Sequence, residues 1–92
     1  MRVISQDGTI DVPYERYTIW CYKDQYLDIY HIACDCGDEA YRRLAEYSTK
    51  AKAIKAMEML RKAWINETVE FTHGIYHRNI DFQFPQDDEI EV

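Results

Sequence analysis

The segment TKAKAIKAMEMLRKAW, residues 49–64, constrains the fold more than any other part of the chain. It is rich in Ala, Lys, Met and Leu, lacks Gly and Pro, and begins at a Ser-Thr pair that can cap a helix. Its apolar residues recur at intervals of three and four, namely Ala53, Ala56, Met57, Leu60, Ala63 and Trp64. The pattern predicts one amphipathic helix of about four to five turns. Its single apolar face requires a sheet to pack against.

The start of the chain predicts a β-hairpin. Asp7-Gly8 is a dipeptide that supplies the positive φ of a two-residue turn, so residues 3–6 and 9–12 are expected to pair. Pro13 then ends the second strand, because proline has no N–H to donate to a ladder. Turn chemistry therefore explains the opening residues without any catalytic role.

A second hairpin is expected from two segments, 17–22 and 26–34, that are rich in β-branched and aromatic residues around a polar turn at 23–25. In the second of these strands apolar residues alternate onto both sides, so neither face is cleanly polar. We therefore expect a sheet that a helix covers on one side and that a partner chain covers in part on the other.

The rest of the chain gives weaker signals. Gly37 marks a turn, after which residues 41–48 predict a strand or an extended lead into the helix. Periodicity does not decide whether residues 66–80 are helix or strand. Residues 80–84 alternate between apolar and polar, which predicts a short strand that Pro85 stops.

The expected fold is α+β in a single domain of residues 1–92. A small antiparallel β-sheet of three to five strands, with the N-terminal hairpin, packs against one long amphipathic helix. The acidic tail 86–92 is expected to be flexible. Because a chain of this length buries only about two thirds of its unfolded surface, we expect a homo-oligomer, a dimer or higher, to add stability.

The charge balance restricts the class of partner. Eleven Lys and Arg stand against seventeen Asp and Glu, which gives a net charge of −6. Direct nucleic-acid binding is not expected, since it needs a basic face that neutralises phosphates. A local arginine cluster can still bind a small anion. No apolar run approaches the roughly 20 residues of a membrane span, and the three cysteines are expected to stay reduced in the cytoplasm.

Metal and nucleophile signals are weak. His31, Cys34 and Cys36 are spaced like ligands, and His73 and His77 add a pair, but on a strand His31 points to the opposite face from Cys34. Cys36 with either later histidine lacks the elbow or glycine-rich loop that accompanies an activated nucleophile. We therefore expect no catalytic residue, no metal site and no cofactor.

Arginines and aromatic residues give the strongest candidate site. Arginine forks match phosphate oxygens, and aromatic rings stack on a base. The predicted ligand-binding residues are Arg42, Arg43, Arg61, Trp64 and Phe82. The alternative interpretation is an ordinary charged helix surface beside core aromatics. A separate signal, tyrosines at alternating strand positions together with Trp20, is typical of a protein interface.

Three blocks of the sequence, RVISQDGTIDVPYE, AEYSTKAKAIKAMEML and FQFPQDDEIEV, together resemble a family of small proteins encoded by phages and prophages of Gram-positive bacteria. That family looks like the first class of Thoeris anti-defense proteins, which sequester a cyclic ADP-ribose immune signal without cleaving it. The resemblance implies a compact antiparallel sheet followed by a helix, self-assembly, and a ligand pocket shared between protomers. The ligand contacts of that class have no residue-by-residue counterpart in this chain.

The expected function is a phage-derived, non-catalytic protein that binds a small cyclic nucleotide and sequesters it in the host bacterial cytoplasm. The alternative is an acidic, anti-CRISPR-like inhibitor that blocks a host defence protein. Charge distribution separates the two, because an inhibitor needs its acidic residues in one patch whereas a binder needs a positive pocket inside a negative shell.

Overall fold

The computed structural model describes residues 1–35, 37, 40–72 and 81–92. Its elements are β1 (Arg2–Ile4), β2 (Asp11–Pro13), β3 (Ile19–Lys23), β4 (Tyr30–Asp35), β5 (Tyr41–Tyr47), α1 (Lys50–Thr72) and β6 (Asp81–Gln83). The predicted α+β class is confirmed, and the strands divide into two sheets. The first sheet has the order β2-β1-β6 and the second the order β3-β4-β5. Neighbouring strands are antiparallel except β1 and β6, which run parallel.

One hydrophobic core joins both sheets to the helix. The predicted apolar face of α1 is confirmed, since Ala53, Ala56 and Leu60 are almost wholly buried. The helix packs against all three strands of the second sheet. Its partners in the core include Ile32 and Cys34 of β4, Ala45 and Tyr47 of β5, and Val3 and Phe84 from the region of the first sheet. We call the side of the second sheet that packs on α1 its inner face.

The N-terminal hairpin forms in the predicted register, with Val3 opposite Val12. The chain reverses one residue earlier than predicted, however, because the Gly8 N–H donates to the Ser5 carbonyl at 3.0 Å. Gly8 has a φ of +76°, which glycine adopts without strain. Hydrogen bonds from the Ser5 hydroxyl, and then from Thr9, lower the pKa of Asp7 to about 2. Ser5 and Asp7 thus stabilise this loop.

The second hairpin has a longer loop than predicted. The strands end at Lys23 and resume at Tyr30, so the predicted turn at 23–25 is wrong. The cause is the Asp24 side chain, whose Oδ1 accepts the N–H groups of Tyr26 at 2.9 Å and Leu27 at 3.0 Å. These hydrogen bonds hold Tyr26 and Leu27 in the loop, where they are 87% and 60% exposed.

The helix begins where its cap predicts. The Thr49 hydroxyl accepts the Lys52 N–H at 3.1 Å, and α1 starts at Lys50. It runs on to Thr72, so residues 66–72 of the undecided segment are helical, while 73–80 lie outside the described residues. The segment before the helix is a true strand, β5, rather than an extended lead.

The acidic tail differs from the expectation of a flexible end, because it packs on the domain. Ile90 is only 5% exposed and belongs to the core. The Asp87 carboxylate accepts the Ser48 N–H at 2.8 Å and pairs with Lys52 at 3.3 Å. Hydrogen bonds from Ser48 lower the pKa of Asp87. One apolar side chain and one capping carboxylate therefore hold the tail beside the start of α1.

Gln6 links the first sheet, β5 and the tail. Its N–H donates to the Leu44 carbonyl at 2.8 Å, and its Oε1 accepts the Glu46 N–H at 2.8 Å. Its Nε2 donates to the carbonyls of Glu46 at 3.1 Å and Pro85 at 2.9 Å. Gln6 thus satisfies the outer backbone groups of β5 as a neighbouring strand residue would.

We expect Gln6→Ala to lower the free energy of unfolding by about 1 to 3 kcal/mol, because it leaves the Glu46 N–H and C=O of β5 without their amide partner. Urea denaturation followed by circular dichroism measures this loss. Gln25→Ala is the matched control, since Gln25 is exposed on the 24–29 loop and should change stability by less than about 0.5 kcal/mol. Equal losses for both variants would show that Gln6 does not link the sheets.

Candidate functional site

The face of the second sheet that points away from α1 carries the most distinctive side chains of the described chain. We call it the outer face. Side chains alternate between the two faces of a strand, and residues paired across neighbouring strands share a face. The residues that alternate with the core positions therefore lie together on the outer face. They are Trp20 and Tyr22 of β3, His31 and Ala33 of β4, and Tyr41, Arg43 and Glu46 of β5.

A β-bulge at Leu44 shapes the outer face. Ala33 pairs with Arg43, whereas the preceding Ile32 pairs with Ala45, so Leu44 is the extra residue of β5. Strict alternation would put positions 43 and 45 on the same face. With the bulge, Arg43 is exposed on the outer face while Ala45 is buried in the core.

Three aromatic rings cluster on this face above Ala33, whose small side chain is fully buried. The rings of Tyr22 and Tyr41 meet edge to face at 6.1 Å, and Trp20 lies 6.0 Å from Tyr41. Tyr41 is 49% exposed. The cluster therefore offers open aromatic surface to a ligand.

Arg43 is held beside this aromatic cluster. Its Nε donates to the Tyr22 hydroxyl at 3.0 Å, and this hydrogen bond raises the pKa of Arg43. Burial raises the pKa of Tyr22, so the phenol stays neutral. Within the described part of the chain, no carboxylate forms an ion pair with Arg43. Its remaining N–H groups can therefore bind an anion.

A histidine and a carboxylate lie beneath the cluster. His31 is 3% exposed, stacks 5.2 Å from Tyr22, and its Nε2 lies 2.7 Å from Asp24 Oδ2. This hydrogen bond, with those from Tyr26 and Leu27, lowers the pKa of Asp24 to about 2. Asp24 is thus ionised and accepts the Nε2–H. The His31 Nδ1 is buried and has no hydrogen-bond partner among the described residues.

A pocket of about 230 Å³ opens beside the bulge. Its lining residues are Gln6, Asp7, His31, Arg43, Leu44, Ala45 and Glu46. The pocket therefore combines one cation, two carboxylates and the buried imidazole next to the aromatic cluster. Arg43 can bind an anionic group and the aromatic cluster can stack on a ring, whereas the two carboxylates of the pocket can accept hydrogen bonds from hydroxyl groups of a ligand.

Of the five predicted ligand-binding residues, the structure brings only Arg43 to this face. Arg42 pairs with Cys34 in the register, so it belongs to the opposite face. Arg61 is exposed on α1, on the inner side of the sheet. The remaining two predicted residues are half-buried aromatics that pack elsewhere: Trp64 lies 5.3 Å from Tyr14, and Phe82 lies 5.1 Å from Phe84. The predicted group of five is therefore not one site.

The residues that the prediction missed are Trp20, Tyr22, Tyr41 and His31. A signal for them was present, since Trp20 and Tyr22 alternate on one strand and Tyr41 and Arg43 on another. The sequence marks them as interface-like aromatics, but only the pairing of β3, β4 and β5 puts them together.

Among the described residues, no group of three or more His, Cys, Asp or Glu lies together in an arrangement that could hold a metal ion. Cys36, His73 and His77 lie outside the described residues. Within the described ranges, α1 is too polar to cross a membrane.

We expect Asp24→Asn to reduce the loss of stability in acid. A carboxylate whose folded-state pKa is depressed stabilises the fold above its ordinary pKa, and this contribution is lost as the pH falls through the folded-state value. For Asp24 the pKa falls from 3.8 to about 2. Urea midpoints measured from about pH 5 to about pH 2 should therefore fall less steeply in the variant.

The matched control is Asp28→Asn, because Asp28 is 91% exposed on the same loop and lies 3.9 Å from Lys23. It should keep the wild-type slope. If Asp24→Asn followed that slope as well, the Asp24–His31 hydrogen bond would not contribute to acid stability.

Comparison with known proteins identifies no relative of this chain: no family model, no curated protein and no solved structure matches it.

Proposed function

We propose that this protein is a non-catalytic binding protein that holds a small nucleotide on the outer face of its second sheet. The proposal rests on the position of Arg43. Tyr22 holds Arg43 at the margin of an exposed aromatic cluster, and no described carboxylate forms an ion pair with it. The base stacks on the aromatic rings, and a phosphate binds the guanidinium.

The energies of these contacts suit reversible binding. Stacking of a base on an aromatic side chain is worth about 1 to 3 kcal/mol. Hydrogen bonds to a charged group add about 1.5 to 3 kcal/mol. Two or three such contacts total at most about 9 kcal/mol, and association costs about 4 kcal/mol or more, so on their own they give weak, sub-millimolar to millimolar binding. The polar pocket beside the bulge adds donors and acceptors that position the sugar.

The negative net charge of the chain restricts which anionic ligands Arg43 can bind. With a net charge of −6, the protein repels anions at long range. A ligand must therefore gain its affinity from contacts at the outer face rather than from electrostatic attraction at a distance. This favours a compact nucleotide with a base that stacks over an extended polyanion, whose many phosphates would meet the negative shell.

The most specific form of the proposal is that the ligand is a cyclic nucleotide immune signal of the cyclic ADP-ribose type. The likeness of the three sequence blocks to phage-encoded proteins supports this form. In it, the protein acts in the bacterial cytoplasm as a homo-oligomer, and it releases its ligand unchanged. Sequestration needs burial of the ligand and no chemical step.

The direct experiment is a retention assay with cyclic ADP-ribose isomers and cyclic oligonucleotides. The protein is incubated with each compound, separated from unbound compound by filtration and denatured, and the released material is identified by mass spectrometry. Recovery of one unchanged compound supports the proposal, and recovery of a cleaved product would contradict it in favour of an enzyme. If no compound is retained, the acidic inhibitor is favoured, for which the exposed Asp88, Glu89 and Glu91 form the candidate patch.

Neighbouring arginines give a matched pair of variants for the retained compound. We expect Arg43→Gln to weaken binding about tenfold to a hundredfold, because it removes a charge-assisted hydrogen bond to phosphate. Arg42→Gln should bind as the wild type does, since Arg42 belongs to the other face of β5. Isothermal titration calorimetry measures both. Equal losses would mean that the ligand responds to net charge and not to the outer face.

A further inference from the structure

We propose that β3 is an open sheet edge that pairs with β3 of a second copy of this chain, antiparallel about a twofold axis at Cys21. The inference rests on the self-association included in the proposed function, and it names the surface responsible. It does not depend on the identity of any ligand.

The hydrogen bonds at the two ends of the β3–β4 ladder show which backbone groups of β3 are used. The Asp24 N–H donates to the Ile29 carbonyl at 2.9 Å, and the Asp35 N–H donates to the Thr18 carbonyl at 3.0 Å. In an antiparallel ladder, hydrogen-bonded pairs alternate with pairs that are not hydrogen-bonded. Counting residues from either end of the ladder therefore assigns the same residues of β3 to the pairs that are hydrogen-bonded to β4.

Trp20 and Tyr22 direct their N–H and C=O groups toward β4. The other three residues of β3, which are Ile19, Cys21 and Lys23, direct theirs to the outside of the sheet. No described strand pairs with that side, since β3 has β4 as its neighbour and ends the order of the second sheet. A row of backbone donors and acceptors is therefore left for a further strand.

Other edges in the structure carry devices that prevent such pairing. The outer side of β5 is occupied by Gln6, through its N–H to the Leu44 carbonyl and its amide to Glu46. On β2, Pro13 has no N–H, and the Arg2 guanidinium occupies the Asp11 carbonyl at 3.2 Å. Natural proteins protect edges in these ways to avoid association.

The edge of β3 has little such protection. Its five residues contain no proline, and Lys23 at the end is the only charged one. Beside it on the inner face is a cavity of about 460 Å³, lined by Cys21, Tyr30 and the 45% exposed Ile54, with Lys23 and Lys50. An additional strand would cover apolar surface here as well as pair with the backbone.

A second copy fits this edge because the three outward residues are symmetric about Cys21. On the twofold axis, Cys21 pairs with Cys21 of the second copy, and Ile19 pairs with Lys23 of the second copy at each end. All three outward residues of each strand then find partners, which gives about six backbone hydrogen bonds. The lysines of the two copies lie at opposite ends of the paired strands.

Net charge predicts how this association responds to salt. Each copy carries −6, so two copies repel one another at long range. Backbone pairing and apolar contact are not weakened by screening, whereas the repulsion is. The dimer should therefore become tighter as the salt concentration rises, the reverse of an interface held by ion pairs.

The test combines sedimentation of the full chain with cross-linking. Wild-type protein should sediment as a dimer at high salt and dissociate on dilution, and Cys21→Pro should be monomeric because it removes the central outward N–H while leaving the bonds to β4. Circular dichroism checks that the variant is folded. Should it fail to fold, cross-linking decides: in a Cys36→Ser background, a short bismaleimide should join two copies through Cys21, and Cys21→Ser should abolish the product.

Three results would overturn the β3 interface. The wild type could be a monomer at every concentration, the dimer could persist in folded Cys21→Pro, or the dimer could fail to cross-link through Cys21. Arg43→Gln separates this outcome from failure of the ligand proposal. It should leave the dimer unchanged while it weakens nucleotide retention. Loss of ligand binding alone therefore counts against the outer-face site, and loss of the dimer alone counts against the β3 edge.

Discussion

The hydrogen bonds of Gln6 are the constraint on which the rest of the structure depends. By pairing with Leu44 and Glu46, this one residue of the first hairpin acts as the neighbour that β5 would otherwise lack. It fixes β5 where the bulge at Leu44 changes the side-chain alternation. Without the bulge, Arg43 and the core residue Ala45 would lie on the same face of β5. The link between the sheets therefore also orients the cation of the candidate site.

The outer face has the physical character of a binding surface rather than of a second core. Tyr22 and Tyr41 meet edge to face, and Tyr41 keeps about half of its surface in solvent. Arg43 is oriented by a neutral phenol, and no carboxylate of the described residues forms an ion pair with it. The buried Nδ1 of His31 adds a ring nitrogen with no hydrogen-bond partner among the described residues at the base of the face. These features are costly in a structural surface and useful in a binding site.

Local signals in the sequence predicted the helix and a cap at Ser48 or Thr49, of which the structure shows Thr49, because helical periodicity and capping involve neighbouring residues. The α+β class followed from the same patterns. The bulge at Leu44 could not be predicted, since it is defined by the pairing of β5 with β4 and lies beside Gln6 of the first hairpin. The longer loop at Asp24 could not be predicted either, because it is held by hydrogen bonds from backbone N–H groups to the Asp24 side chain. In the tail, the single apolar Ile90 outweighs the surrounding acidic composition. The grouping of the outer-face residues could not be predicted for the same reason, because strand pairing decides which arginine lies beside the aromatic cluster.

The two tryptophans allow the most direct test of nucleotide binding on the outer face. Trp20 belongs to the aromatic cluster, whereas Trp64 lies on α1 and packs against Tyr14. The measurement is tryptophan fluorescence during titration with the nucleotide that the protein retains, in Trp64→Phe and in Trp20→Phe. We predict saturable quenching in Trp64→Phe, where Trp20 is the remaining tryptophan, and little change in Trp20→Phe. Quenching confined to Trp20→Phe, or equal in both variants, would contradict a site on the outer face.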